Sequence, residues 1–244
     1  RLHDMKETTR EMTFIYDELD QSGYSIINVP YCSSDIYMGD HEHEIRNKAV
    51  PFKGSKILSA VMQRYGAQFD AADVLLVGGF SAGTIATSYL MPEIEKTKAK
   101  QKRYVLDSFW MDEQEVEARA SLSSSATTKF IHKSLPDSCE NFLDCYPSDK
   151  RLSALGVTDA FIVWNRGDLY RLSRDDDSHK QLMDRTFAKV SGGIALGRGY
   201  GVKGVSGDHV ILNAPAYEQA VYGTKIASVV KQWLNEGKSH FVTE

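Results

Sequence analysis

Residues 73–83 read DVLLVGGFSAG, so that Ser81 sits between Gly79 and Gly83 directly after an apolar run. A Gly-x-Ser-x-Gly pattern placed after a buried strand and before a helix is the pattern of a nucleophile elbow. The strained turn presents the hydroxyl above the sheet, and small neighbours are needed because strand and helix pass close to it. The helix then starts at Ala82, whose backbone N–H points to where a tetrahedral oxyanion would form. Neither Gly-x-x-x-x-Gly-Lys-Ser/Thr nor Gly-x-Gly-x-x-Gly coincides with this turn, which argues against a phosphate cradle there. A tight strand-to-helix turn with no chemistry is the plainer alternative.

A serine hydroxyl needs a histidine to take its proton and an acid to hold that histidine. In this arrangement the chain order is Ser, then Asp or Glu, then His. Of the seven histidines, His3, His41, His43, His132 and His179 come too early, and His240 follows the final helical pattern in a charged tail. His209, in the loop VSGDHVILN, has the expected position for the base. Two aspartates compete as its partner: Asp107 ends the segment RYVLD, and Asp168 lies four residues after AFIVW. Asp168 follows the later strand, the usual place of the acid, and is the expected one. Asp208 adjoins His209 in sequence, so its side chain diverges from the ring.

These residues need a scaffold, and the chain alternates between helical and strand patterns. Helical spacing runs through 4–20, 55–68 and 82–96, and strand-like segments occupy 25–29, 74–77, 103–107 and 160–164. A last amphipathic helix is expected over 216–236, with Val229, Val230, Trp233 and Leu234 on its apolar face. Alternation of this kind predicts an α/β fold: a mostly parallel central sheet flanked by helices, whose strands are continuous apolar runs. Between 111 and 152 the pattern weakens, as expected of a cap-like insertion over the carboxyl edge of the sheet. The length of 244 residues and the absence of a linker predict a single domain over 1–244.

Composition narrows the partners. Lys and Arg total 29 and Asp and Glu 33, a formal net charge of −4 that offers no general attraction for nucleic acid. No apolar stretch approaches the roughly 18 residues that a membrane span requires. Three cysteines occur, and Cys139 and Cys145 bracket a polar loop in which a disulfide is plausible. Such a bond implies an oxidising, extracellular setting. Two free thiols are the other reading, and zinc is disfavoured because no histidine partners the pair at ligand spacing. Asp40-His-Glu-His-Glu44 and Asp175-Asp-Asp-Ser-His179 carry charge without the ligand spacing of a metal site and are expected on the surface, the first as a solvated loop.

Four segments together resemble the pectin acetylesterase and Notum family of carboxylesterases. They are Tyr31-Cys-Ser-Ser-Asp35 with Gly39-Asp40, the Gly-x-Ser-Ala-Gly elbow, Leu106-Asp-Ser-Phe109, and Gly207-Asp-His209, so the likeness spans about 26–212. The elbow is common to many hydrolases, whereas the Tyr-Cys-x-x-Asp segment at this distance before it is more specific. The resemblance implies an α/β-hydrolase fold with Ser81 as nucleophile, Asp168 as acid and His209 as base. It also implies cleavage of O-acyl esters without a cofactor or metal, on a substrate such as an acetylated polysaccharide, by a secreted protein. Two departures stand out. The family's Gly-Gly-rich strand end with a Trp, which supplies further oxyanion donors, has no counterpart before Ser25. Either that segment precedes this chain or the oxyanion hole is incomplete, and losing one donor costs about 10²–10³ in rate. The second departure is Thr84, where the family commonly repeats glycine; it would tighten the space beside the elbow.

The expected activity is therefore that of a serine carboxylesterase acting through an acyl-enzyme. A lipase- or peptidase-like hydrolase with the same triad, and a non-catalytic hydrolase-like binding protein, are the alternatives. Tyr31, Asp107, Phe109 and Trp110 are the expected lining of the substrate pocket, with core packing as the plainer role for the aromatic pair.

Overall fold

The computed structural model describes residues 14–31, 33, 35–108, 139, 144–165, 176–196, 212, 220–221, 223–236 and 240–242. Its centre is a five-stranded sheet of β3 (Val74–Phe80), β4 (Gln101–Asp107), β5 (Ala160–Asn165), β6 (Gly192–Leu196) and β9 (His240–Val242), in that spatial order. Every pairing in it is parallel. Parallel neighbours need crossovers, and among the described residues these hold α3 (Ala82–Glu95), α4 (Asp149–Leu155), α5 (Asp176–Phe187) and α6 (Ile226–Glu236).

The period of two along each strand divides the core into two layers. Tyr104 and Leu106 of β4 and Ala160, Ile162 and Trp164 of β5 pack with Met91 and Ile94 of α3, Leu152 of α4 and Leu182 of α5. The intervening Val105, Phe161 and Val163 pack on the other side with Val229, Val230 and Trp233 of α6 and with Ile15 and Leu19 of α1 (Phe14–Gln21). A parallel sheet covered on both faces is the expected α/β architecture.

Two arginines, Arg103 buried and Arg151 half-buried, satisfy main-chain carbonyls that would otherwise be orphaned. Arg103 is 2% exposed. Its Nη1 and Nη2 donate to the carbonyls of Leu234 and Trp233 at 2.8 and 2.7 Å, in the last turn of α6, where no intrahelical donors remain. Its Nε donates to Asp159 at 3.2 Å, and its guanidinium lies 3.9 Å from the Trp233 ring centroid. The second case starts from Pro92 inside α3, which lacks the N–H that Ser88 O would accept. Arg151 Nη2 donates to that carbonyl instead, at 3.1 Å, and so ties α4 to α3.

Several boundaries differ from expectation for identifiable reasons. The segment 24–31 forms no strand among the described residues; Ile26 and Ile27 are 42% and 41% exposed, with no ladder partner to fix them. Strand β3 reaches Phe80, and its residues are mostly half-buried, because β4 is its one neighbour among the described strands. Residues 42–51 form an antiparallel hairpin, β1 (Glu42–Ile45) and β2 (Lys48–Pro51), rather than a loop. Arg46 and Asn47 take φ of 51° and 59°, the left-handed pair that a two-residue hairpin turn demands.

The closing helix starts at Ile226, ten residues later than its apolar pattern, because a small antiparallel ladder of β7 (Ala220–Val221) and β8 (Thr224–Lys225) precedes it. The tail holding His240 is strand β9, at the edge of the sheet among the described residues and fastened by Phe241 against Phe187 at 5.0 Å between ring centroids. Helices α4, α5 and strand β6 carry too many polar or glycine residues to stand out as periodic segments. Most of 111–152 lies outside the described residues. No described helix is long and apolar enough to cross a membrane.

Arg103→Met is expected to lower unfolding stability by about 3 kcal/mol, because two helix-end carbonyls and Asp159 lose a buried charged donor. Urea denaturation of the variant and wild type measures it.

Candidate active site

Ser81 occupies the turn between β3 and α3 with φ 55° and ψ −121°. A residue with a Cβ is disfavoured there by roughly 1–3 kcal/mol, so the surrounding contacts must impose the conformation. Ser81 N donates to Asp107 O at 3.0 Å, and Thr84 N donates to Ser81 O at 2.9 Å. Thr84 Oγ1 lies 2.8 Å from Gly79 O and 2.7 Å from Asp107 O. A hydroxyl has one proton, so the two carbonyls share it, and Thr84 thereby laces the strand, the elbow and the neighbouring strand end together. The Ser81 side chain makes no helix-capping hydrogen bond. Ala82 opens α3, where first-turn N–H groups lack intrahelical partners.

The two framing glycines have different roles. A Cβ on Gly79 would stand 2.0 Å from Gly83 O, so strand and helix pass too close for any side chain there. At Gly83 a Cβ would meet nothing within 4 Å among the described residues. The closeness expected of both positions therefore belongs to Gly79, against the backbone of Gly83. Thr84, expected to crowd the elbow, is buried and acts instead through its hydroxyl.

Asp107 lies at the end of β4, level with Phe80 on one side and Val163 on the other. It is 0% exposed. Its Oδ1 accepts from Ser108 Oγ at 3.0 Å, and its Oδ2 accepts from the backbone N–H of Leu212 at 2.7 Å. The next residue, Ser108, takes φ 72° and donates its N–H to Val163 O at 3.1 Å. The strained pair Ser81 and Ser108 thus sits at the same end of adjacent strands.

The Tyr31–Asp35 segment supports α2 (Gly54–Asp70). Asp35 is buried and accepts from Gly54 N at 2.8 Å, from Tyr37 N at 3.0 Å and from the Ser33 hydroxyl. Lys53, the residue at the N-cap of α2, gives no side-chain cap, so Asp35 supplies one across 19 residues. Tyr31 is 46% exposed; its hydroxyl accepts from Ile36 N at 2.7 Å and its ring leans on Tyr37 at 4.7 Å. Tyr37, Leu58 and Ala86 form one apolar cluster on which Ala82 packs, joining this segment and α2 to the start of the elbow helix.

Cys139 and Cys145 form a disulfide, with Cα atoms 5.7 Å apart. Both are buried with Met38, Ile85 and Tyr146, so the bridge packs against α3 one turn after the elbow.

The other sequence-derived candidates, Asp168, His209, Phe109 and Trp110, lie outside the described residues. What sequence reasoning missed is the pair of anchors around Ser81. The Thr84 hydroxyl was signalled by a polar residue three positions into a tight turn. The Leu212 contact carried no local signal, since it closes across 105 residues.

A parallel sheet between two helical layers, with a serine on a left-handed turn where a strand enters a helix, defines the α/β-hydrolase class. The sequence matches the family model "PAE: Pectinacetylesterase" over residues 22–182, two thirds of the chain, and the protein belongs to the pectinacetylesterase family. That places it among carboxylic ester hydrolases. Among solved structures it is similar to the Wnt deacylase Notum from Drosophila, with a TM-score of 0.55 and 18% identity over 87% of this chain and 68% of that one. At that identity the likeness speaks for the fold. No curated protein matches the sequence.

Thr84→Val is expected to cost about 1–3 kcal/mol, since it keeps the shape and removes the buried hydroxyl that the Gly79 and Asp107 carbonyls share. Thr84→Ser should recover most of the loss. Thermal melts of the three proteins test it, and equal stability of Thr84→Val and wild type would remove the lacing role.

Proposed function

We propose that the protein is a serine carboxylesterase that removes short O-acyl groups, acetyl above all, through Ser81, His209 and Asp168. The observation that carries this reading is the backbone of Ser81: a non-glycine residue held at φ 55° between a strand end and a helix start. Strain kept in place by several main-chain contacts is characteristic of functional turns.

In this reading Ser81 Oγ attacks the ester carbonyl while His209 takes its proton. The tetrahedral oxyanion is stabilised by the Ala82 N–H at the positive end of α3. Collapse expels the alcohol, which receives the proton from His209, and leaves an acetyl-Ser81 ester. Water, deprotonated by His209, then attacks that ester and releases acetate. Asp168 keeps the imidazole in the tautomer that accepts from the serine. Chain order supports these roles, and so does family membership, although the matched span ends at 182, before His209. An O-acetylated polysaccharide is the proposed natural ester, in keeping with the family's name. The disulfide favours a secreted protein, since such bonds persist in oxidising compartments.

With p-nitrophenyl acetate, butyrate and palmitate, the wild type is expected to prefer acetate. Ser81→Ala and His209→Ala are each expected to lose at least about 10⁴ in kcat, because triad members act as a unit. The wild-type kcat/KM should rise with pH as the base loses its proton. Turnover that survives Ser81→Ala would sink the mechanism. A preference for palmitate would shift the reading to a long-chain deacylase.

A further inference from the structure

We propose that Asp107 is a positioning residue, whose main chain holds the Ser81 turn while its side chain anchors the chain at Leu212, three residues beyond His209. The proposal rests on the roles given above to Ser81 and His209. A carboxylate with no exposed surface must be hydrogen-bonded to persist. One of its oxygens is bound to the main chain of a distant segment, at Leu212 N. The carbonyl of the same residue accepts from Ser81 N and faces Thr84 Oγ1. Two parts of the chain separated by more than a hundred residues therefore take their positions from one residue.

Leu212 is itself held on its other side. Its side chain is 0% exposed and belongs to the core cluster of Val105, Phe161 and Val163. His209 precedes Leu212 by three residues, a tether of at most about 11 Å even when fully extended. The base is thus leashed to a point fixed on the residue that fixes the nucleophile. Misplacement of reacting groups by about 1 Å can cost about 10²-fold in rate. The role differs from that of the acid, which touches the imidazole. The proposed role of Asp107 runs instead through its bonds to the main-chain N–H of Leu212 and to the Ser108 hydroxyl.

The test compares kcat and KM on p-nitrophenyl acetate, with pH profiles, for wild type, Asp107→Asn, Asp107→Ala and Asp168→Asn. The Asn amide oxygen can still accept from Leu212 N, so Asp107→Asn is expected within about tenfold of wild type, with an unchanged pH midpoint. Asp107→Ala is expected to lose about 10²-fold in kcat with KM within about twofold. Asp168→Asn is expected to lose about 10⁴-fold, as for an acid that sets the tautomer. If Asp107→Ala does not fold, Asp107→Glu, which keeps the charge and moves the acceptor by one methylene, takes its place with the same expected loss.

A loss beyond tenfold in Asp107→Asn, or a moved pH midpoint, overturns the proposal and makes Asp107 a direct partner of the base. Wild-type kcat in Asp107→Ala, or in its Glu substitute, removes the role altogether. Turnover in Ser81→Ala would instead mark failure of the triad itself.

Discussion

The left-handed backbone at Ser81 is the constraint around which the rest of this molecule is organised. A serine does not adopt it unaided, and one main-chain bond would hold it loosely. Here the turn is tied to the next strand through Asp107 O, to its own helix through Thr84 N, and to its own strand through the Thr84 hydroxyl. Gly79 makes the geometry possible by letting the helix backbone come within contact of the strand. The strain at Ser81 is therefore opposed by bonds to three separate pieces of backbone.

Behind that turn, each layer of the core meets the sheet at a defined register. Tyr104 and Leu106 fix β4 to the helices on one side, Val105 and the Arg103 guanidinium fix it to α6 on the other, and Asp107 at its tip joins the elbow. A shift of β4 by one residue would reverse every one of these partners. Strand β4, which carries no proposed catalytic group, in this way aligns its neighbours in the sheet.

Much of this was legible in the sequence, and the limits have physical causes. The apolar runs of β4 and β5 announced buried parallel strands because both of their faces are covered, and Gly79 with Ser81 announced the elbow because so few residue types fit a turn that tight. The apolar SIINV segment misled because composition cannot tell whether a partner strand lies alongside. The C-terminal helix was placed ten residues too early because a two-residue ladder leaves no periodicity to read. The bond from Leu212 to Asp107, like the Arg151 rescue of Ser88, depends on chain segments that meet only after folding. Asp107, in the sequence a competitor to Asp168 as acid and an expected pocket wall, gave no sign of its bond to Leu212, 105 residues away.

The Asp35 carboxylate has a consequence for how this chain tolerates change. It reaches Tyr37 before the β1–β2 hairpin and Gly54 after it, while Gly39 O accepts from both the N–H and the hydroxyl of Ser55. The excursion between residues 40 and 53 is thus closed at its base, and its two strands are largely exposed. Its length and tip are free to vary without disturbing the start of α2, much as a side branch can be trimmed or extended once its junction is secured. The hairpin is accordingly where relatives of this protein can diverge in reach and surface chemistry at no expense to the elbow, and where a label or an inserted peptide would report on the molecule without altering it.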